Sequence, residues 1–205
     1  MLDIGGGKKW QFRDERKRFT SLKVIALDIS QEELSFNNDV DEKIVFAMGT
    51  SKCSPLSEKS ADLVTSHMVM EHIRDNTNTV REVFRVLKSG GKFISVIPGK
   101  FALFAVINQL LPDWLGRKIL YAINPEAKGT AGFKAYYNKT FYPALRKLLE
   151  DNGFTEIEFA FDYNQSGYFS FFWPFGVVSL VWDFVMYLLN VKPMCAYICF
   201  IARKP

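Results

Sequence analysis

Leu2-Asp3-Ile4 runs directly into Gly5-Gly6-Gly7, and no other stretch restricts the possible folds as much. An apolar run that carries an acid and opens into consecutive glycines is how a buried strand meets a tight turn beneath the cleft of a doubly wound α/β sheet. Glycine suits that turn for two reasons: the backbone must take positive φ, and a side chain would keep a ligand away from the main chain. A nucleotide-like ligand lying across Gly5 and Gly7 is the functional reading. A glycine turn with no ligand is the alternative.

The next segments support a sheet. Residues 8–23 are basic and poorly periodic, which predicts an irregular loop or short helix anchored by Trp10, Phe12 and Phe19. Lys23 to Asp28 reads as a buried strand ending in an acid, and Ser30-Gln31-Glu32-Glu33 opens a helix in capping style. An acid at the tip of the second strand, roughly 20 residues beyond a glycine turn, can accept both hydroxyls of a ribose, which makes Asp28 the candidate anchor.

Further strands are expected at 43–48, 60–66 and 92–97. A helix capped by Asn78 or Thr79 lies between the last two, carries Val80, Val83, Phe84 and Leu87 at helical spacing, and stops at Gly90-Gly91. Strands alternating with helices argue for a parallel sheet with right-handed crossovers. The rhythm then changes. Residues 101–123, interrupted by Pro112, read as a two-piece helical cap within an insertion at 101–137. A helix capped by Thr140 runs to about Asn152, a strand covers 155–161, and a last strand covers 194–203.

At 205 residues the chain is expected to form one domain, 1–205. With 48% hydrophobic and 23% charged residues it is a folding sequence. The net charge of +4 comes from basic residues that are spread out, so no nucleic-acid partner is expected. Three cysteines without a Cys-x-x-Cys pair, beside two histidines, give no zinc constellation, and no metal is expected. A reducing cytoplasm is the expected compartment, and no secretory leader is expected ahead of Asp3.

Four blocks, in order, resemble the class I S-adenosylmethionine-dependent methyltransferases, in the small-molecule branch that includes quinone-biosynthesis enzymes. They are Leu2 to Gly7, Val24 to Ser30, Ser60 to Val64 with Glu71-His72-Ile73, and Arg81 to Phe93. The resemblance implies a mostly parallel seven-stranded sheet with its last strand inserted antiparallel beside the sixth. It implies S-adenosylmethionine as cofactor, held by Asp3, Gly5, Gly7, Asp28, Ile29, Thr50 and Ser66. Three departures stand out: Lys9 replaces a usual third glycine, Thr50 replaces an acid after the loop glycine, and the family's cofactor-covering N-terminal helix is not expected ahead of Leu2. A nicotinamide-binding fold would need glycine where Trp10 stands.

Methyl transfer from a sulfonium needs alignment and exclusion of water more than it needs catalytic side chains. A hydroxyl acceptor still requires a base, and His67 and His72, which follow the fourth strand, are candidates beside Glu71. Tyr136 and Tyr137 are expected to face substrate from the cap.

Residues 169–191 hold one charge, Asp183, inside an apolar insertion at 164–193. Their length suits a bilayer span. A mid-span Asp costs roughly 2.5–3.5 kcal/mol, however, and spanning would put the last two strands on opposite sides. A helix lying in the membrane interface avoids both problems, with Lys192, Arg203, Lys204, Arg117 and Lys118 as a basic rim. A helix packed on the domain itself or on a second subunit, as in a homodimer, is the alternative. The expected activity is methyl transfer to an apolar or lipid-like small molecule at the inner face of a membrane. A non-catalytic relative that binds a membrane or partner is the second reading.

Overall fold

The computed structural model describes residues 1–16, 18–19, 21–123, 134–169 and 171–205. Its strands are β1 Leu2–Ile4, β2 Ile25–Asp28, β3 Glu42–Val45, β4 Ala61–His67, β5 Leu87–Pro98, β6 Thr155–Asp162 and β7 Tyr197–Arg203. They form one sheet in the order β3-β2-β1-β4-β5-β7-β6. The first five run parallel, and β7 lies antiparallel between β5 and β6. This is the mostly parallel, doubly wound sheet with an inserted last strand that the family resemblance implied.

The helices are α1 Arg13–Arg16, α2 Gln31–Phe36, α3 Asn76–Val86, α4 Leu103–Leu110, α5 Asp113–Ile123, α6 Tyr142–Asp151 and α7 Trp173–Leu188. Ser30 caps α2 as expected, its hydroxyl accepting from Glu33 N at 3.1 Å. The expected cap of α3 at Asn78 or Thr79 is corrected: Asp75 caps it, accepting from Thr77 N and Asn78 N, because the helix begins earlier. Its end is corrected too. Leu87 already enters β5, and Gly90, at φ 79°, serves the irregular stretch of β5 between the pairs Ala61–Leu87 and Leu63–Lys92. Thr140 does not cap α6; Phe141 holds the cap position without a side-chain bond.

One face of the sheet carries the main core. The row Leu2, Val64, Phe93, Ala202 runs across four neighbouring strands. Val80, Val83 and Val86 of α3 join the same cluster, as do Leu145, Leu148 and Leu149 of α6. Phe93 meets the rings of Phe200 and Phe154 at 5.1 and 6.3 Å. Of the three expected anchors in the basic segment, Trp10 is buried, while Phe12 and Phe19 are exposed.

The apolar insertion becomes the 3-10 turn Ser166–Phe169 followed by α7. Asp183 turns inward and is buried. Its carboxylate accepts from Gln165 N at 2.9 Å, Gln165 Nε2 at 3.0 Å and Ser166 N at 3.0 Å. The charge therefore pins the preceding turn and does not face outward. Trp173, Phe175, Val178, Val181, Phe184 and Leu188 point away from the domain and are exposed. Among the described residues no helix is long and apolar enough to cross a membrane. The expected basic rim is corrected at two positions: Arg203 pairs with Glu156, and Lys204 is buried with its ammonium on Phe84 O and Leu87 O.

Candidate active site

The glycine turn is built from three directions. Gly5 and Gly7 take φ of 75° and 44°, the left-handed region that a side chain disfavours. Gly5 N donates to Leu27 O at 2.7 Å, which ties the turn to β2. A Cβ on Gly6 would lie 2.6 Å from Ala26 Cβ, so this glycine is required by strand packing. Asn37, fully buried just past α2, donates its amide to Gly6 O at 2.8 Å and Gly7 O at 3.2 Å. Lys9 is exposed.

Asp28 closes the arrangement. Its carboxylate accepts from Gly7 N at 3.0 Å and from Ser30 N at 2.8 Å, so the strand tip, the turn and the start of α2 converge on one acid. Beside it opens a cavity of about 430 Å³. Gly5, Asp28 and Ile29 line one side, Met48, Gly49 and Thr50 a second, and His72, Arg74 and Tyr136 a third. Phe46 to Met48, expected in β3, leave the ladder after Val45 and supply part of this wall.

Asp3 sits beneath the turn and not in the cavity lining. It accepts from the Thr65 hydroxyl at 2.6 Å, and burial raises its pKa to about 6 against that bond. Ser66 shares a row with Ile4 and Ser95 and is buried without a hydrogen-bond partner for its hydroxyl.

The two histidines, separated in the chain by Met68 to Glu71, line different cavities. His72 lines the first cavity and donates from Nδ1 to Lys134 O at 3.1 Å. His67 lines a second cavity of about 450 Å³ with Met68, Val96, Asp162, Tyr197 and Cys199, and its Nδ1 meets Gln11 Nε2 at 2.8 Å. Burial lowers both imidazole pKa values, which favours the neutral form that a base requires.

Glu71 is 3% exposed and reaches neither cavity lining. Burial pushes its pKa to about 7. Its Oε1 lies 3.8 Å from His72 Nε2, and its Oε2 is buried with no hydrogen-bond partner. Its backbone oxygen accepts from both Tyr136 N and Tyr137 N, at 2.7 and 3.1 Å, so it also staples down the end of the cap.

The two tyrosines part company. Tyr136 faces the first cavity, and Arg74 Nε donates to its hydroxyl at 2.9 Å. Tyr137 is buried with Ala102 and Ala105, at φ 48°. The middle of the expected cap, 124–133, lies outside the described residues.

Asn37, Val69, Arg74 and Gln11 were not singled out from the sequence. Each acts across a large sequence separation, so no local pattern announces it. Asn37 alone left a signal, as an asparagine at the end of a short helix. Val69 deserves mention because its Cγ2 lies 2.1 Å from where a Cβ on Gly5 would be. That glycine is fixed by packing as well as by any ligand.

Residues 2–95 match the methyltransferase domain family. The chain is 29% identical over 165 residues to a sarcosine/dimethylglycine N-methyltransferase of Halorhodospira halochloris, covering 78% of this chain and 52% of that protein. It is 27% identical over 156 residues to a demethylmenaquinone methyltransferase of Symbiobacterium thermophilum, covering 67% and 60%. The chain thus spans about half the length of the curated relatives it matches.

Among solved structures, phosphoethanolamine N-methyltransferase 2 of Haemonchus contortus, with S-adenosylhomocysteine bound, superposes with a TM-score of 0.61 at 18% identity, over 100% of this chain and 48% of that one. An S-adenosylmethionine-dependent methyltransferase of Mesorhizobium loti gives 0.60 at 15% identity, over 99% and 90%. The sheet order and the glycine turn give the chain the class I methyltransferase fold, and residues 2–95, just under half of it, are similar to the methyltransferase domain family.

Proposed function

We propose that the chain transfers a methyl group from S-adenosylmethionine to an apolar or lipid-like small acceptor. The observation that carries this reading is the convergence of Gly7 N and Ser30 N on the Asp28 carboxylate at the rim of the 430 Å³ cavity. Each Asp28 oxygen accepts one N–H and keeps a lone pair for one hydroxyl of a ribose. The cavity size suits a nucleoside-sized ligand. Ile29 would flank the sugar, and Thr50 and Gly49 would meet the base. Asp3, Gly5, Gly7 and Ser66 would order the turn beneath the methionine end.

S-adenosylmethionine supplies an electrophilic methyl group when bound. The chain's own part is to place an acceptor beside it and to take a proton where the acceptor has one. The second cavity, where Met68, Val96, Ala160 and Phe161 stand beside His67, Asp162, Tyr197 and Cys199, suits that acceptor. Gln11 Nε2 donates to His67 Nδ1, so the neutral ring carries its proton on Nε2 and would orient the acceptor as a hydrogen-bond donor. His72 donates its Nδ1–H to Lys134 O, which puts the lone pair on Nε2, 3.8 Å from Glu71 Oε1, and makes it the ring suited to take a proton while it holds the cap. Tyr136 would close the cofactor side, and Tyr137 would brace it from the buried cluster.

The exposed face of α7 is the reason for choosing an apolar acceptor. It would lie in the interface of a membrane at the inner face, beside the edge of the sheet where both cavities open, with Trp173 and Tyr187 near its ends. A homodimer through the same face is the competing arrangement. Val69 packed over Gly5 favours a second reading, a binding module without turnover, since it crowds the methionine end.

Calorimetric titration with S-adenosylhomocysteine tests the main reading. Asp28→Ala should weaken binding about tenfold or more, from hydrogen bonds to a charged group worth about 1.5 kcal/mol. Equal affinity in parent and variant would remove Asp28 from the site.

A further inference from the structure

Away from both cavities, a third of about 370 Å³ lies along the side of α3. Lys52, Lys59, Arg81, Arg85 and Lys204 line it, against the carboxylates Glu58 and Glu82. The lining therefore carries a net +3, while the whole chain carries +4. Most of the molecule's excess positive charge is gathered at one concavity.

The internal pairings do not use it up. Arg85 is committed to Glu82 Oε1 at 2.6 Å and to Leu56 O at 2.7 Å, and Glu82 also holds Ser54. Lys52 and Lys59 make no ion pair among the described residues, and Arg81 donates to the neutral Asn78 Oδ1. Lys204 is 8% exposed, and its ammonium donates to two carbonyl oxygens, Phe84 O and Leu87 O, with no carboxylate paired to it. The same ammonium also lies 4.5 Å from the centroid of the Phe84 ring. Lys52, Lys59 and Arg81 thus leave three cationic groups without a carboxylate partner along one lining, which an anion could meet together.

We propose that this cavity binds a phosphate-bearing small anion and is coupled to the cofactor cavity. The link is Thr50, which lines both. The loop that carries it is set by Gly49, where a Cβ would lie 2.4 Å from Ile73 Cγ2. An anion drawn to Lys52 and Arg81 orders the loop from one side, and the loop forms the adenine-side wall on the other.

Cys53 is exposed in the same lining and gives a readout independent of methyl transfer; Cys195 is buried and Cys199 half-buried. The full chain is alkylated with iodoacetate and, separately, with neutral iodoacetamide, with and without pyrophosphate. The cationic cavity should favour the anionic reagent. The iodoacetate-to-iodoacetamide rate ratio at Cys53 should fall severalfold in Lys59→Ala/Arg81→Ala, and pyrophosphate should slow alkylation in the parent alone. Pyrophosphate should also tighten S-adenosylhomocysteine binding in the parent and not in the variant.

Vesicles with phosphatidic acid form a second arm. Protection by pyrophosphate alone assigns a free phosphate ligand, and protection by vesicles as well assigns a headgroup. Equal rate ratios in parent and variant, with protection by neither anion, overturn the site. Protection without any change in S-adenosylhomocysteine affinity overturns the coupling. Failure of S-adenosylhomocysteine to bind at all leaves the alkylation arm intact, so the two readings fail separately.

Discussion

The first hundred residues and the insertion at 164–193 handle apolar surface in opposite ways. In the first region Leu2, Val64, Val80, Val83 and Phe93 are buried under helices that face them. In the second, α7 buries Ser179, Asp183 and Met186 and turns Trp173, which is 76% exposed, Phe184 and Leu188 outward. At about 3.6 residues per turn the exposed apolar positions cover more than half of the helix circumference. The inward side holds the charge and the outward side holds none. Burial of apolar groups stabilises the first region within the chain, whereas the second can realise that gain only against something else.

The largest expected effect tests the first half of that contrast. Phe93→Ala empties a site between Phe154 and Phe200 and should cost about 4 kcal/mol, read as a lower midpoint in urea unfolding. A change below about 1 kcal/mol would mean that the core relaxes around the gap.

The next concerns the joint between scaffold and cap. Burial raises Glu71 to about 7 and Asp3 to about 6, from ordinary values of 4.5 and 3.8. For a raised acid the stabilisation is complete below the unfolded-state value and is lost as pH rises through the folded one. Stability should therefore fall between about pH 4 and 7, by on the order of 3 kcal/mol for Glu71. Glu71→Gln should flatten the Tm profile over that window. An unchanged slope would place the titration elsewhere.

How far the sequence could be read depended on the distance between partners. Ser30 and Glu33 cap α2 three residues apart, and their pattern is visible without a structure. The glycine turn and Asp28 were legible because strand, turn and acid follow one another at characteristic spacings. Asn37 on Gly6, Gln11 on His67 and Tyr136 on Glu71 join segments that the sequence does not align. Asp183 shows the same gap more plainly. In the sequence it is a charge inside an apolar run; in the fold it is the acceptor for a turn that ended before the helix began.

A smaller effect checks the corrected start of α3. Asp75→Ala should lose about 1 kcal/mol through two helix-cap bonds, whereas Asn78→Ala should lose less. Equal losses would return the cap to the position expected from the sequence.

The smallest effect on stability carries the most information about α7. Phe175→Ser with Phe184→Ser alters exposed positions and should change Tm by an amount within about 0.5 kcal/mol. The same pair should abolish flotation with liposomes, if the outward face meets lipid. A parent chain that stays off liposomes and sediments as a dimer, which the double variant dissociates, would make the face a subunit seam.

The sheet itself determines what can happen to that insertion. Asp162 and Tyr197 are register partners on adjacent antiparallel strands, and Ala196 N donates to Asp162 O at 2.8 Å. The ladder is closed at the point where the insertion departs. A short reverse turn could join β6 to β7 there, at the loss of the contacts that Met186, Trp182 and Val191 make with the core. Exchange of that segment would therefore leave the strands that carry Asp28 and His67 in register.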